Sequence, residues 1–295
     1  MAVRFKKIQG KVVQLSEPYQ APLIDMVGRE AEMRKILAAW KAGENRFPMA
    51  PLLIGNPGVG KTRFVCEMSR RLGKEFYTYQ GHEEVTNEDL VCTIRQSDTE
   101  SGKFHYILRA LPTAMILGEI FFIDGIAKMR KKALAIFESL LDERRYIESD
   151  LLGFRIPASP GFRFIASTNN SDLDTNPLSD YMKSRCKPVI HFAYPSRETI
   201  NRILLTRYSR LPENGKSLLD LFWHLWRGRN NGIPPSPRDA IDVFSYALGL
   251  AEIDMTEHSY ACTTLDKQGA PCIFKESHLE EAFDALFNKE VKANS

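Results

Sequence analysis

Apolar positions along the chain fall into two patterns, which change over near residue 195. In the first part, short apolar runs alternate with amphipathic stretches. Residues 50–54, 120–124 and 162–167 read as buried strands, and residues 75–79 as a fourth. Between them, residues 24–40 turn into a helix with Met33, Ile36, Leu37 and Trp40 on one stripe. Residues 61–72 place Phe64, Val65, Met68 and Leu72 on another. Residues 136–147 predict a further helix, with Phe137, Leu140 and Leu141 inward. Strands alternating with helices give a parallel sheet covered by helices, an α/β fold.

After Pro195 only helical patterns follow, at residues 197–209, 217–227, 237–253 and 277–289. Trp223 and Trp226, at i and i+3, belong to the core of that helical part. Residues 260–274 interrupt it, with Lys267-Gln268-Gly269 suited to a hairpin turn. The organisation expected is an extended arm over residues 1–23, an α/β domain over 24–195 and a smaller helical domain over 196–295. A chain of 295 residues is long enough for two packed units.

Composition narrows this little. Apolar content of 43% and charged content of 26% are ordinary for a globular protein, and a net charge of +3 gives no support for wrapping nucleic acid as the main work. No stretch approaches the roughly 20 apolar residues of a membrane span, and no apolar run behind residues 1–10 makes a secretion signal. Five scattered cysteines suit a reducing compartment, so a cytoplasmic location is expected. His258, Cys262, Cys272 and His278 lack the C-x-x-C pair of structural zinc sites and read as hairpin or core positions instead of a metal set. The basic run Lys128-Met129-Arg130-Lys131-Lys132 reads as a solvated face; the alternative is a surface for an anionic partner such as nucleic acid, or for a neighbouring subunit.

The chemistry begins at Gly55-Asn56-Pro57-Gly58-Val59-Gly60-Lys61-Thr62, a full G-x-x-x-x-G-K-[ST] match between an apolar run and an amphipathic helix. Glycines let backbone N–H groups turn inward around phosphate oxygens, and the following helix points its positive end at the same anion. Lys61 adds a full charge to the β- and γ-phosphates, and the Thr62 hydroxyl can ligate magnesium. ATP and Mg²⁺ are therefore the expected cofactors. The metal also needs a carboxylate at the end of a neighbouring strand, which Asp124 supplies after four apolar residues. Gly125 follows, where a glutamate would polarise the attacking water. Losing positioned general-base help typically lowers rates by ~10²–10⁴. Glu119 precedes the strand and belongs at its far end. The expectation is firm ATP binding with weakened hydrolysis.

The order of motifs resembles the AAA+ ATPases, and within them the MoxR branch, nearest its CbbQ and NorQ members. Val27-Gly28-Arg29-Glu30 is similar to the segment beside the adenine pocket, and Arg63-Phe64-Val65 follows the phosphate loop as in that subgroup. Residues 81–91 resemble the family's insert region, residues 120–124 its Walker B strand, and residues 164–170 its sensor-1 strand. Tyr194-Pro195 resembles the transition into its lid.

The resemblance implies a P-loop AAA+ domain followed by a helical lid. It implies Asn169 as the polar residue facing the γ-phosphate (Asn170 the fallback), Arg185 as an arginine finger acting in trans, and Arg238 of Pro235-Ser236-Pro237-Arg238 as sensor 2. The nucleotide contacts would be Val27, Gly28, residues 56–63 and Arg238. Cys186 departs from the large apolar residue that usually follows the finger. A finger in trans implies a homo-oligomeric ring, commonly a hexamer. The branch often works with a partner bearing a von Willebrand factor A domain. The function expected is ATP-driven remodelling of partner proteins; the alternatives are an ATP-gated assembly subunit, favoured by Gly125, and a nucleic-acid-associated ATPase.

Overall fold

Fully apolar strands can survive only where both faces are covered, and such a sheet forms the centre of the computed structural model. It describes residues 3–20, 22, 25–41, 47–96, 104–208, 215–229, 232–258 and 275–287, with backbone only for 229 and 254–258. The chain divides into two compact units, residues 1–56 with 61–193, and residues 57–60 with 194–295.

In the first unit, β1 (Phe5–Ile8) and β2 (Lys11–Gln14) form a hairpin, followed by α1 (Glu30–Trp40), β3 (Leu52–Gly55) and α2 (Lys61–Leu72). Then come β4 (Phe76–Gln80), α3 (Asn87–Val91), β5 (Cys92–Gln96), β6 (Phe104–Leu108), α4 (Ala110–Leu117) and β7 (Ile120–Asp124). The short helices α5 (Lys131–Leu134) and α6 (Phe137–Leu140) precede the hairpin of β8 (Tyr146–Ser149) and β9 (Phe154–Pro157). Last are β10 (Arg163–Thr168), α7 (Asn170–Thr175), α8 (Asp180–Arg185) and β11 (Val189–Phe192).

Among these, β11, β3, β10, β7 and β4 pair in that order, all parallel. The register sets Leu53, Ser167, Asp124 and Gln80 at one level across four strands. Ile120, Phe121, Phe122 and Ile123 of β7 are all fully buried, so both sheet faces are covered. Phe121 and Phe137 both pack on Phe164 of β10.

Several expectations need correction. Residues 5–14, expected within an extended arm, make the β1–β2 hairpin, which joins β6 and β5 in a second sheet of order β1-β2-β6-β5. The Arg4 guanidinium clamps both Glu75 carboxylate oxygens at 2.9 Å, tying this segment to the start of β4. Leu37 and Leu72 are not inward: each is about two-fifths exposed, and Ala39 and Trp40 take the buried positions at the end of α1.

The helix expected over residues 136–147 stops at Leu140. The Asp142 carboxylate accepts from the Arg144 backbone N–H at 2.9 Å, Arg145 turns left-handed at φ 53°, and Ile147 enters β8. A short acidic side chain that bonds the backbone two residues on favours a turn over a helix. The Arg144 guanidinium also holds the Asp142 carboxyl below the usual carboxylate range.

The second unit holds α9 (Arg197–Arg207), α10 (Gly215–Arg229), α11 (Pro237–His258) and α12 (Glu276–Phe287). Ile200, Leu204, Phe222, Phe244, Leu279 and Phe283 are fully buried together, with Trp226 buried beside them and Trp223 half-buried against the same core. Ser236 starts α11 with a reciprocal cap: its Oγ accepts from Asp239 N–H at 3.2 Å and its own N–H donates to Asp239 Oδ2 at 2.9 Å. Gly58 belongs to this unit. Its φ is +81°, and a Cβ there would lie 2.4 Å from Ser236 Oγ. The hairpin read at 260–274, with Cys262 and Cys272, lies outside the described residues. His278 is buried, and its Nδ1 accepts from Lys275 N–H. Among the described residues no helix is long and apolar enough to cross a membrane.

Two outcomes follow from the packing. Burial pushes the Cys186 thiol up to about 12 and the Cys92 thiol to about 11. The thiolate is the reactive form, and a raised pKa lowers its fraction at any lower pH. Iodoacetamide at pH 8 should therefore leave both unmodified in the folded protein and label them in urea, as read by peptide mass mapping. At the loop, Gly58→Ala and Gly60→Ala both meet a left-handed penalty of about 1–2 kcal/mol. Only Gly58→Ala adds a collision, since nothing lies within 4 Å of a Cβ at Gly60. Its melting temperature should fall further, and Gly58→Ala with Ser236→Gly should recover part of the loss.

Candidate functional site

The N-terminus of α2 carries the first cluster. Lys61 is buried, which is tolerable for an ammonium only when its donors are satisfied. Its Nζ donates to the backbone oxygens of Gly55 at 2.7 Å and Asn56 at 3.1 Å, and to Asn169 Oδ1 at 2.8 Å. Asn169 is held in turn, its Nδ2 donating to Asp172 Oδ2 at 3.0 Å. Asn170 Nδ2 donates to Asn56 Oδ1 at 3.0 Å, so both asparagines after β10 reach the segment after β3.

The second cluster is one residue further on. Thr62 Oγ1 donates to Asp124 Oδ2 at 3.0 Å, and Ser167 Oγ donates to Asp124 Oδ1. The strand supplying the carboxylate is not the neighbour of β3, as expected from sequence: β10 lies between β3 and β7. That interposition is why Ser167 takes part. A hydroxyl and a carboxylate at this spacing are the hard oxygen donors that Mg²⁺ takes, so the residues fit that ion. Among the described residues there is no cluster of three or more His, Cys, Asp or Glu able to hold a metal by themselves.

Gly125 follows Asp124 in the left-handed region, at φ 80°. Its N–H donates to the Ser167 backbone oxygen at 3.0 Å, and its oxygen accepts from Lys128 N–H at 3.0 Å. The chain therefore turns at once into the short helical turn Ile126–Lys128. Gln80 Nε2 donates to the Asp124 backbone oxygen at 3.2 Å beside this turn. At the other end of β7, Glu119 accepts from Glu75 N–H at 2.8 Å, far from Asp124 along the strand, as expected.

Arg29, Arg63 and Arg185 are bonded to residues outside these clusters. Gly28 and Arg29 take consecutive left-handed conformations after Val27, and Arg29 donates to the Ala193 backbone oxygen with its guanidinium over the Phe192 ring at 4.8 Å. Arg63 donates to the Pro22 backbone oxygen at 2.7 Å. Arg185 ends α8 with its Nε donating to Tyr181 Oη at 3.1 Å and its guanidinium 3.7 Å from Asp142. In the second unit, Arg238 is exposed in the first turn of α11 and makes no side-chain hydrogen bond or ion pair to a described residue. The basic run is broken by Met129, which is buried. Sequence reasoning missed Ser167 and Gln80. The signal for Ser167 was a polar residue closing the apolar run 162–167; for Gln80 only strand register would have shown it.

A family model described as an AAA domain of the dynein-related subfamily matches residues 51–186. The chain is 35% identical to protein NorQ of Paracoccus denitrificans over 128 residues, 43% of this chain and 46% of NorQ. It is 26% identical to protein CbbQ of Hydrogenophilus thermoluteolus over 260 residues, 85% of this chain and 90% of CbbQ. With the denitrification regulatory protein NirQ of Stutzerimonas stutzeri it shares 30% over 149 residues, half of each chain. The match thus spans about half the length of NorQ and of NirQ. Among solved structures, the Holliday junction branch migration motor RuvB of Thermotoga maritima superposes with a TM-score of 0.56 at 16% identity, over 88% of this chain and 70% of that one, a likeness of fold alone. Phosphate loop, strand order and family match together show a P-loop AAA+ fold, with residues 51–186 an AAA domain similar to the dynein-related, MoxR-type branch.

Proposed function

We propose that the protein is an ATP-hydrolysing, ring-forming remodelling factor that acts on partner proteins. The observation that carries the reading is the Thr62–Asp124 pair at 3.0 Å beside the buried ammonium of Lys61. Lys61 neutralises the β- and γ-phosphates, and residues 56–60 with Thr62 and Arg63 cradle the chain of phosphates. Thr62 and Asp124 hold Mg²⁺, which when bound offsets charge on the transferring phosphoryl group. Ser167 fixes the carboxylate that does so. Asn169, bonded to Lys61, senses the γ-phosphate.

Val27 and Gly28 border the adenine, and Arg238 reaches the nucleotide from the helical lid, its guanidinium having no other described partner. Arg185 acts on a neighbour's nucleotide. That role requires a closed ring of copies, six by the family resemblance, and Tyr181 presents the guanidinium at the end of α8. The relative NirQ is named a denitrification regulatory protein, which agrees with a regulatory role. A von Willebrand factor A domain is the partner type the resemblance suggests. The three described cysteines are all free and buried, which agrees with a cytoplasmic place of action.

A second reading keeps ATP binding but not turnover, with nucleotide only gating assembly; Gly125 favours it. The separating measurement is steady-state ATP hydrolysis alongside ATP-dependent particle mass by light scattering. Under the first reading the native protein turns over and assembles with ATP, and Lys61→Ala loses turnover by about 10³-fold or more, an expected cost for a phosphate-neutralising cation. A native protein that assembles with ATP but turns over no faster than Lys61→Ala belongs to the second. Gly125→Glu should lower the unfolding free energy by about 1–2 kcal/mol in urea titration, because glutamate must adopt the left-handed turn. An unchanged midpoint would show that the turn re-forms in a right-handed conformation.

A further inference from the structure

β4 ends on Gln80, which the parallel register sets level with Asp124 on β7. Neighbouring strands lie about 4.8 Å apart, so the Gln80 side chain reaches the turn that follows β7. Its Nε2 donates to the Asp124 backbone oxygen at 3.2 Å and lies 3.4 Å from the point where a Cβ on Gly125 would be. One end of the amide is thereby anchored to the backbone of the residue whose carboxylate meets Thr62. The other end, Oε1, has no hydrogen-bond partner among the described residues, and the residue is exposed. The place that a longer side chain at position 125 would fill thus already holds a polar group, supplied by the adjacent strand.

We propose that Gln80 orients the attacking water during ATP hydrolysis, an inference that rests on the hydrolytic reading above. An amide oxygen accepts a hydrogen bond from water in a fixed direction, although it takes no proton. Glutamine performs this positioning in other nucleotide hydrolases. In the step, the water oxygen forms a bond to the γ-phosphorus while the bond from phosphorus to the bridging oxygen breaks. ADP leaves with that electron pair, and the water proton departs through the product phosphate to solvent.

Other polar groups around the turn are engaged or misdirected. The His82 ring stacks on Tyr79 at 6.4 Å. Asp172 accepts from Asn169 and lies 3.9 Å from Lys128 Nζ. Glu119 is bound at the far end of the strand.

The test compares wild type, Gln80→Ala, Gln80→Glu and Lys61→Ala in steady-state ATP hydrolysis, with ATP affinity measured separately by titration. Gln80→Ala should lower kcat by about 10²-fold, the loss typical of a displaced reacting group, with ATP affinity within about twofold of wild type. Gln80→Glu should restore kcat and add a rise of kcat with pH through the carboxylate's titration, which wild type lacks. Gln80→Ala with kcat within twofold of wild type overturns the inference and leaves the hydrolytic reading standing. A loss of ATP affinity as large as the loss of kcat also overturns it, since that marks a structural role. Wild-type turnover no faster than Lys61→Ala overturns both.

Discussion

Parallel pairing of β3, β10, β7 and β4 in a single register is the constraint on which the site depends. Because Leu53, Ser167, Asp124 and Gln80 share one level, every side chain that leaves the sheet at its carboxyl edge does so within a strand spacing of the next. Hydrogen bonds along the ladder hold that level far more tightly than any loop could. A slip of one residue would send each of these side chains to the opposite face. The buried phenylalanines at 121, 122 and 164 oppose such a slip, since a shifted β7 would drive Asp124 into apolar packing.

Local chemistry of the site was legible in the linear chain, and its geometry was not. The phosphate loop announces itself because its demands are met by consecutive residues: glycines, a lysine and a threonine before an amphipathic helix. Asp124 was readable for a similar reason, as the first polar residue after four apolar ones. Strand order is a different kind of information. Nothing near residue 54 says that β10 and not β7 will lie beside it, and so Ser167 went unnoticed as a partner of Asp124. Residues 136–147 misled for the opposite reason: apolar spacing there fits a helix, and the turn chemistry of Asp142 with the left-handed Arg145 outweighs it. The N-terminal hairpin had a period-two signal too short to separate from an extended arm.

Gly125 shows how one backbone conformation can reorganise a site. Its left-handed turn lets the chain bend directly after Asp124, whose carbonyl accepts from both the Gly81 N–H and the Gln80 amide. The same bend aims Lys128 back toward Asp172, and Asp172 in turn steadies Asn169. A loss on β7 and a group on β4 are thus parts of one arrangement.

Among the described residues the second sheet, β1-β2-β6-β5, has β1 and β5 as its edges, and an edge strand carries a row of backbone groups able to pair. Both edges carry cations: Lys6 and Lys7 are exposed on β1, and Arg95 on β5. Strands bearing like charges repel one another when brought side by side, a common safeguard against edge-to-edge aggregation. Copies of this chain crowded together are thereby discouraged from zipping into a continuous sheet, and association is left to surfaces with a defined geometry.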